Sequence, residues 1–104
     1  MRGDVFELRS PRRSADHEQR GRRYGVVLQS DDLPLSTLII APTSTAARPT
    51  SFRPGIDLGG QRTLVLVEQA TAVDPGRLGR WAGRVTSAEL AEIAEALRLV
   101  VALD

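Results

Sequence analysis

The sequence predicts a mainly β protein with short helices, a compact sheet or small barrel carrying one C-terminal amphipathic helix. Three observations carry this. Four short aliphatic and β-branched runs, each bounded by turn-forming residues, fill the first two-thirds of the chain. The apolar period then changes from that of a strand to that of a helix towards the C-terminus. Finally, 104 residues hold one modest core, so residues 1–104 read as a single domain whose function lies on its surface rather than in a deep cofactor cavity.

Taken in order, Val5-Phe6-Glu7-Leu8 alternates and reads as an edge strand. Ser10-Pro11 ends it, and the polar segment from Ser10 to Arg22 is expected to be a mobile loop. Val26-Val27-Leu28 is the next strand, closed by Asp31-Asp32-Leu33-Pro34. Thr37–Ala41 and Thr63–Val67 follow, and their unbroken apolar stretches Leu38–Ala41 and Leu64–Val67 predict central strands covered on both faces. Turns at Ala47-Arg48-Pro49 and Asp57-Leu58-Gly59-Gly60 separate them. Asp74-Pro75 places a capping residue before proline at a first helical position, which predicts a short helix or turn through Arg77-Leu78. Gly83-Arg84-Val85 reads as one more short strand. Thr86-Ser87-Ala88-Glu89 has capping-box spacing and opens a helix. Its Leu90, Ile93, Leu97, Val100 and Val101 are expected to pack on the sheet, leaving Glu89, Glu92 and Glu95 on the solvated face.

Composition narrows the chemistry. Cysteine is absent, which excludes disulfide frameworks and cysteine metal sites and permits a reducing compartment. The first residues contain no signal-like apolar run and no stretch is long and apolar enough to span a membrane, so a soluble cytoplasmic protein is expected. The formal charge is only +1, but all 14 basic residues are arginine. Six of them (Arg9, Arg12, Arg13, Arg20, Arg22, Arg23) crowd between positions 9 and 23 against two acids, Asp16 and Glu18. That is a local cationic patch, and guanidinium suits planar contact with phosphate.

One histidine, no cysteine and scattered acids make no metal-ligand cluster, so neither metal nor cofactor is expected. Gly55, Gly59 and Gly60 fit no phosphate-loop or dinucleotide pattern. A triad of Ser44, His17 and Glu68 can be written down, but no nucleophile elbow supports it. What remains is arginine, hydroxyl and carboxylate at strand ends. Arg23 stands immediately before an apolar strand, and Thr43, Ser44 and Thr45 follow another. Such groups suit phosphoryl transfer, where guanidinium offsets developing negative charge and a hydroxyl or amide hydrogen-bonds the phosphoryl oxygens.

Five stretches in order resemble the MazF/PemK family of toxins. Arg2-Gly3-Asp4 precedes an apolar strand; Glu18-Gln19-Arg20-Gly21-Arg22-Arg23 ends a loop before a valine-rich strand; Ala41-Pro42-Thr43-Ser44 follows another. Val67-Glu68-Gln69 closes a third, and Arg77-Leu78, Gly83-Arg84-Val85 and the terminal helix complete the order. His17 precedes the Glu-Gln pair as in the plasmid-borne branch. The resemblance covers essentially the whole chain. Two departures stand out: Tyr24-Gly25 replaces a proline-apolar pair, and Leu66 replaces an arginine that helps catalysis in the plasmid branch. The second favours the chromosomal branch's arginine–threonine arrangement.

The resemblance implies an SH3-like, CcdB/MazF-type barrel that forms a homodimer, binds single-stranded RNA and is neutralised by a cognate antitoxin protein. It implies a metal-independent endoribonuclease in which the ribose 2′-hydroxyl attacks the adjacent phosphate. Arg23 and Thr43 would then be the catalytic pair, with His17 and Glu68 as acid–base candidates. Because guanidinium holds its proton near neutral pH, Arg23 is assigned electrostatic stabilisation. Arg12, Arg13, Glu18, Gln19, Tyr24, Ser44 and Gln69 are the RNA-binding candidates. Two alternatives stay open: a CcdB-like gyrase poison acting by protein binding, and a catalytically silent homologue that only binds antitoxin.

Overall fold

The computed structural model describes residues 1–9 and 23–103. Among these, seven strands and one α-helix follow in order: β1 Asp4–Leu8, β2 Tyr24–Val27, β3 Leu38–Ser44, β4 Gly55–Leu58, β5 Gln61–Val65, β6 Thr71–Val73, β7 Leu78–Arg84 and α1 Ser87–Val101. Short 3-10 turns at Val67–Gln69 and Pro75–Arg77 flank β6. The mainly β class with a C-terminal helix is therefore the one expected.

All strand pairs are antiparallel, in the order β4-β5-β3-β2-β1-β7, with β6 also lying on β3. The curvature comes from β3. Its first residues pair with β6 (Leu38↔Val73, Ile40↔Thr71), whereas Thr43 and Ser44 pair with β5 (Thr43↔Val65). One strand edge thus changes partner halfway along, and the twisted sheet curls into a half-barrel. The concave side and α1 enclose the main core, built from Val5, Val26, Ala41, Val65 and Ile93. A smaller layer of Val27, Ile40 and Val73, with Phe6, Leu8 and Leu78 packed on it, covers the other face. Gly25 packs closely against this smaller layer: a Cβ there would stand 3.1 Å from side-chain atoms of both Leu8 and Ile40, which would have to give by a few tenths of an ångström.

Several local expectations need correction. Val5–Leu8 is not an edge strand, because β1 pairs with both β2 and β7. Its alternation arises because Val5 enters one apolar layer and Phe6 and Leu8 enter the other. The run Leu64–Val67 leaves the sheet at Val65; Leu66 and Val67 are buried, but Val67 already belongs to a 3-10 turn. Apolar continuity reports burial and cannot distinguish strand from buried turn. Leu38–Ala41 is not covered throughout either, since Ile39 is exposed. β7 is longer than Gly83–Val85, and β4 and β6 are too short for a pattern to announce them.

Both capping expectations hold. Asp74 Oδ1 accepts the Gly76 N–H at 2.8 Å. In α1 the Thr86 hydroxyl oxygen accepts the Glu89 N–H at 3.0 Å, while Glu89 Oε1 accepts the Thr86 N–H at 2.8 Å. Ile93 and Ala96 are buried, but Val100 and Val101 are exposed. The helical period sets which face turns inward, not how far the surface beneath it extends. No helix among the described residues is long and apolar enough to cross a membrane.

Candidate active site

Pairing of β2 with β3 brings two sequence-predicted residues together. The register Gly25↔Pro42 sets Tyr24 opposite Thr43, with Arg23 one residue before β2. The Arg23 carbonyl accepts the Leu8 N–H at 2.8 Å, which fixes that backbone against β1. Thr43 is 8% exposed, and its hydroxyl donates to the Tyr24 carbonyl at 3.3 Å. That distance is long for an O–H donor, so the hydroxyl is lightly held and free to turn towards a ligand. Ser44 Oγ accepts the N–H groups of Ala46 and Ala47 at 3.1 and 3.0 Å, building the turn that ends β3.

These residues form one wall of a cleft of about 780 Å³. Leu58, Leu66 and Ala82 give it an apolar lining; Gln61, Thr63 and Gln69 line it from β5 and the first 3-10 turn. Among the described residues lining it, Arg23 is the only ionised side chain, and its guanidinium makes no hydrogen bond or ion pair to another described residue. Among the described residues the charge of the cleft's lining is thus that of Arg23, in the same cleft as the lightly held Thr43 hydroxyl. Leu66 is buried and apolar.

The structure therefore brings Arg23, Tyr24, Thr43, Ser44 and Gln69 into one cleft. Glu68 is not among its lining residues. Arg53 donates to Glu68 Oε2 from Nε at 3.0 Å and from a terminal nitrogen at 2.6 Å. These bonds, helped by the residue's own backbone amide, hold the Glu68 carboxyl below its ordinary range against the opposing effect of burial. His17, Arg12, Arg13, Glu18 and Gln19 lie outside the described residues. No three His, Cys, Asp or Glu side chains among the described residues gather as a metal site. Gln61, Thr63, Leu58 and Ala82 were missed by sequence reasoning. The Asp57–Gly60 turn signal, read as a hairpin, would have placed Leu58 and Gln61 on paired strands.

A family profile of PemK-like, MazF-like toxins of type II toxin–antitoxin systems matches residues 1–101. The chain belongs to this family. Within it, the MazF-like chain is 40% identical over 73 residues to Rv3098A, a candidate toxin of Mycobacterium tuberculosis, covering 70% of this chain and 69% of that one. Its fold is similar to the Mycobacterium tuberculosis toxin MazF-mt6, with a TM-score of 0.78 at 19% identity over 97% of this chain and 98% of that one. A mycobacterial endoribonuclease in complex with its cognate antitoxin gives 0.80 at 16% identity over 100% and 96%. A MazE–MazF structure from Deinococcus radiodurans gives 0.76 at 19% identity over 98% and 94%. At these identities the likeness is one of fold. It makes the curled sheet with its C-terminal helix a MazF-type fold.

Proposed function

We propose that this toxin is a metal-independent endoribonuclease that cleaves single-stranded RNA in the Arg23–Thr43 cleft. The observation that supports it is a guanidinium with no partner among the described residues and a lightly held hydroxyl lining the same cleft, whose described lining has no carboxylate to repel phosphate. The 2′-oxygen of the substrate forms a bond to the adjacent phosphorus as its proton passes to a base. The bond to the 5′-oxygen breaks and that oxygen takes a proton. The products are a 2′,3′-cyclic phosphate and a 5′-hydroxyl end. Arg23 offsets charge on the phosphoryl oxygens as they become more negative, and Thr43 hydrogen-bonds one of them. His17 and Glu68 are the acid–base candidates, although Glu68, held ionised by Arg53, is not among the cleft's lining residues and would have to leave that pair to take a proton there. Tyr24, Ser44 and Gln69 contact RNA inside the cleft, while Arg12, Arg13, Glu18 and Gln19 extend that contact from the arginine-rich segment.

The toxin acts as a homodimer in the cytoplasm, since symmetry lengthens an RNA groove that one small domain cannot supply. Exposed Leu99 and Leu103, which line one surface groove, give an apolar surface for a second copy. An acidic antitoxin segment competes for the cationic cleft.

Purified toxin incubated with a long, unstructured RNA in excess EDTA tests the reading. Cleavage with cyclic-phosphate ends is expected, as is its loss where the nucleotide at the cut carries deoxyribose. Cutting that needs a divalent cation, or that persists at the deoxy position, overturns the mechanism. Growth arrest without any RNA cleavage would favour a gyrase poison instead.

A further inference from the structure

We propose that Tyr24 is the general acid of the cleavage step, giving its phenolic proton to the 5′-oxygen as that oxygen leaves phosphorus. This rests on the endoribonuclease reading of the same cleft and supplies what that reading lacks, a proton donor among the groups that line it.

The strands put the phenol beside Thr43. Tyr24 opens β2 opposite Thr43 of β3, one step on from the Gly25↔Pro42 pair. Two residues further along each strand stand Val26 and Ala41, both in the main core, so Tyr24 and Thr43 rise from that same concave face. Directly opposed residues on one face hold their Cβ atoms about 5 Å apart. Both side chains line the cleft.

The ring is anchored and its hydroxyl is not. Tyr24 packs against the main core and is only partly buried. Its phenolic oxygen hydrogen-bonds no described residue, and the one buried side-chain oxygen without a partner among the described residues is Glu68 Oε1. The phenol therefore opens to solvent on the cleft side and has its proton free to donate.

The other groups of the described lining do not fill this role. Guanidinium keeps its proton near neutral pH. The threonine and serine hydroxyls are alcohols like the leaving group, so a transfer from them gains nothing. Carboxamides do not ionise. Glu68 lies off the lining, ionised on Arg53. A phenol is a stronger acid than an alcohol or a guanidinium and serves as a general acid.

The step balances. The 2′-oxygen bonds to phosphorus and its proton passes to water. The bond from phosphorus to the 5′-oxygen breaks, and that oxygen keeps the electron pair and takes the phenolic proton. The phenolate regains a proton from water before the next turnover.

The test compares single-turnover cleavage of an RNA with one cut site and of the same RNA with sulfur in place of the leaving 5′-oxygen. A thiolate departs without a proton, so a general acid becomes dispensable. Tyr24→Phe keeps the ring, and thermal melts establish that it folds. It is expected to lose roughly 10²- to 10⁴-fold on the oxygen substrate and to return to near the wild-type rate on the sulfur substrate. Arg23→Ala should stay slow on both. Tyr24 is the chain's only tyrosine, so biosynthetic fluorotyrosine, a stronger acid of nearly the same shape, alters this position alone. It should move the basic limb of the pH–rate profile to lower pH. A Tyr24→Phe rate equal to wild type on the oxygen substrate overturns the proposal. So does an equal loss on both substrates, which makes the hydroxyl a binding contact, or a basic limb that fluorination leaves in place. Each of these leaves the endoribonuclease reading standing, whereas a wild type that cuts neither substrate ends both.

Discussion

One carboxylate of α1 serves two elements: Glu89 caps its own helix through Oε1, on the Thr86 N–H, and ties down β4 through Oε2, which accepts the Asp57 N–H at 2.9 Å. A residue that sequence periodicity assigns to a solvated face therefore joins the helix to the hairpin that carries Gln61. Glu89→Ala should lower stability by about 1–2 kcal/mol, from a lost cap and a lost charge-assisted bond. Urea unfolding measures that loss. Hydrogen exchange should show faster exchange at the Asp57 amide, and Glu89→Gln should recover part of both effects.

The Arg53–Glu68 pair predicts a pH dependence. The Glu68 carboxyl is held below its ordinary value of 4.5. The stabilisation is therefore complete above that value and is lost as pH falls through the lower folded-state value. Both side chains are partly exposed, at 21% and 25%, so Arg53→Met should cost only about 1 kcal/mol at pH 7. The gap between wild type and variant should close in denaturant melts run at progressively lower pH. A gap unchanged at pH 3 would mean Arg53 acts through packing alone.

At the cleft, Arg23→Ala should keep the fold, because the side chain is exposed, and lose single-turnover cleavage by on the order of 10²-fold or more. Thr43→Val preserves shape and should give a smaller rate loss that Thr43→Ser largely restores. A wild-type single-turnover rate for Arg23→Ala, with only weaker RNA binding, would make Arg23 a positioning contact.

The chain has a single tryptophan, and Trp81 Nε1 donates to Asp4 Oδ1 at 3.1 Å although the residue is 58% exposed. Burial alone would raise the Asp4 carboxyl, but hydrogen bonds from Trp81 and Arg84 hold it below 3.8. The indole N–H resonance should move upfield on acidification with a midpoint under that value, and should stay at its upfield position in Asp4→Ala at neutral pH.

The sequence made legible whatever is set by local chemistry. Asp74-Pro75 and Thr86-x-x-Glu89 announce their caps because capping depends on residues three apart or fewer. Arg23 and Thr43 were identifiable as strand-end groups, and family order placed them together. Partner exchange along β3 was not legible, since nothing in Leu38–Ser44 says that its edge passes from β6 to β5. Gln61 was hidden for the same reason: its place in the cleft depends on that exchange. Glu68 could be found, but its partner Arg53 lies 15 residues away, on the segment between β3 and β4.

The hairpin tip at Gly59-Gly60 has a consequence for how such toxins diversify. Both glycines have positive φ, +62° and +86°, as a two-residue hairpin turn requires, and a Cβ on either would meet nothing within 4 Å. Asp57 Oδ1 accepts the Gly60 N–H at 2.9 Å and pins the turn from within the hairpin itself. Gly59 also lines the cleft. Residues inserted at this tip lengthen the wall of the cleft without entering the core. A lineage can thus reshape the cleft at little cost in folding, and whatever occupies the cleft has to follow each change.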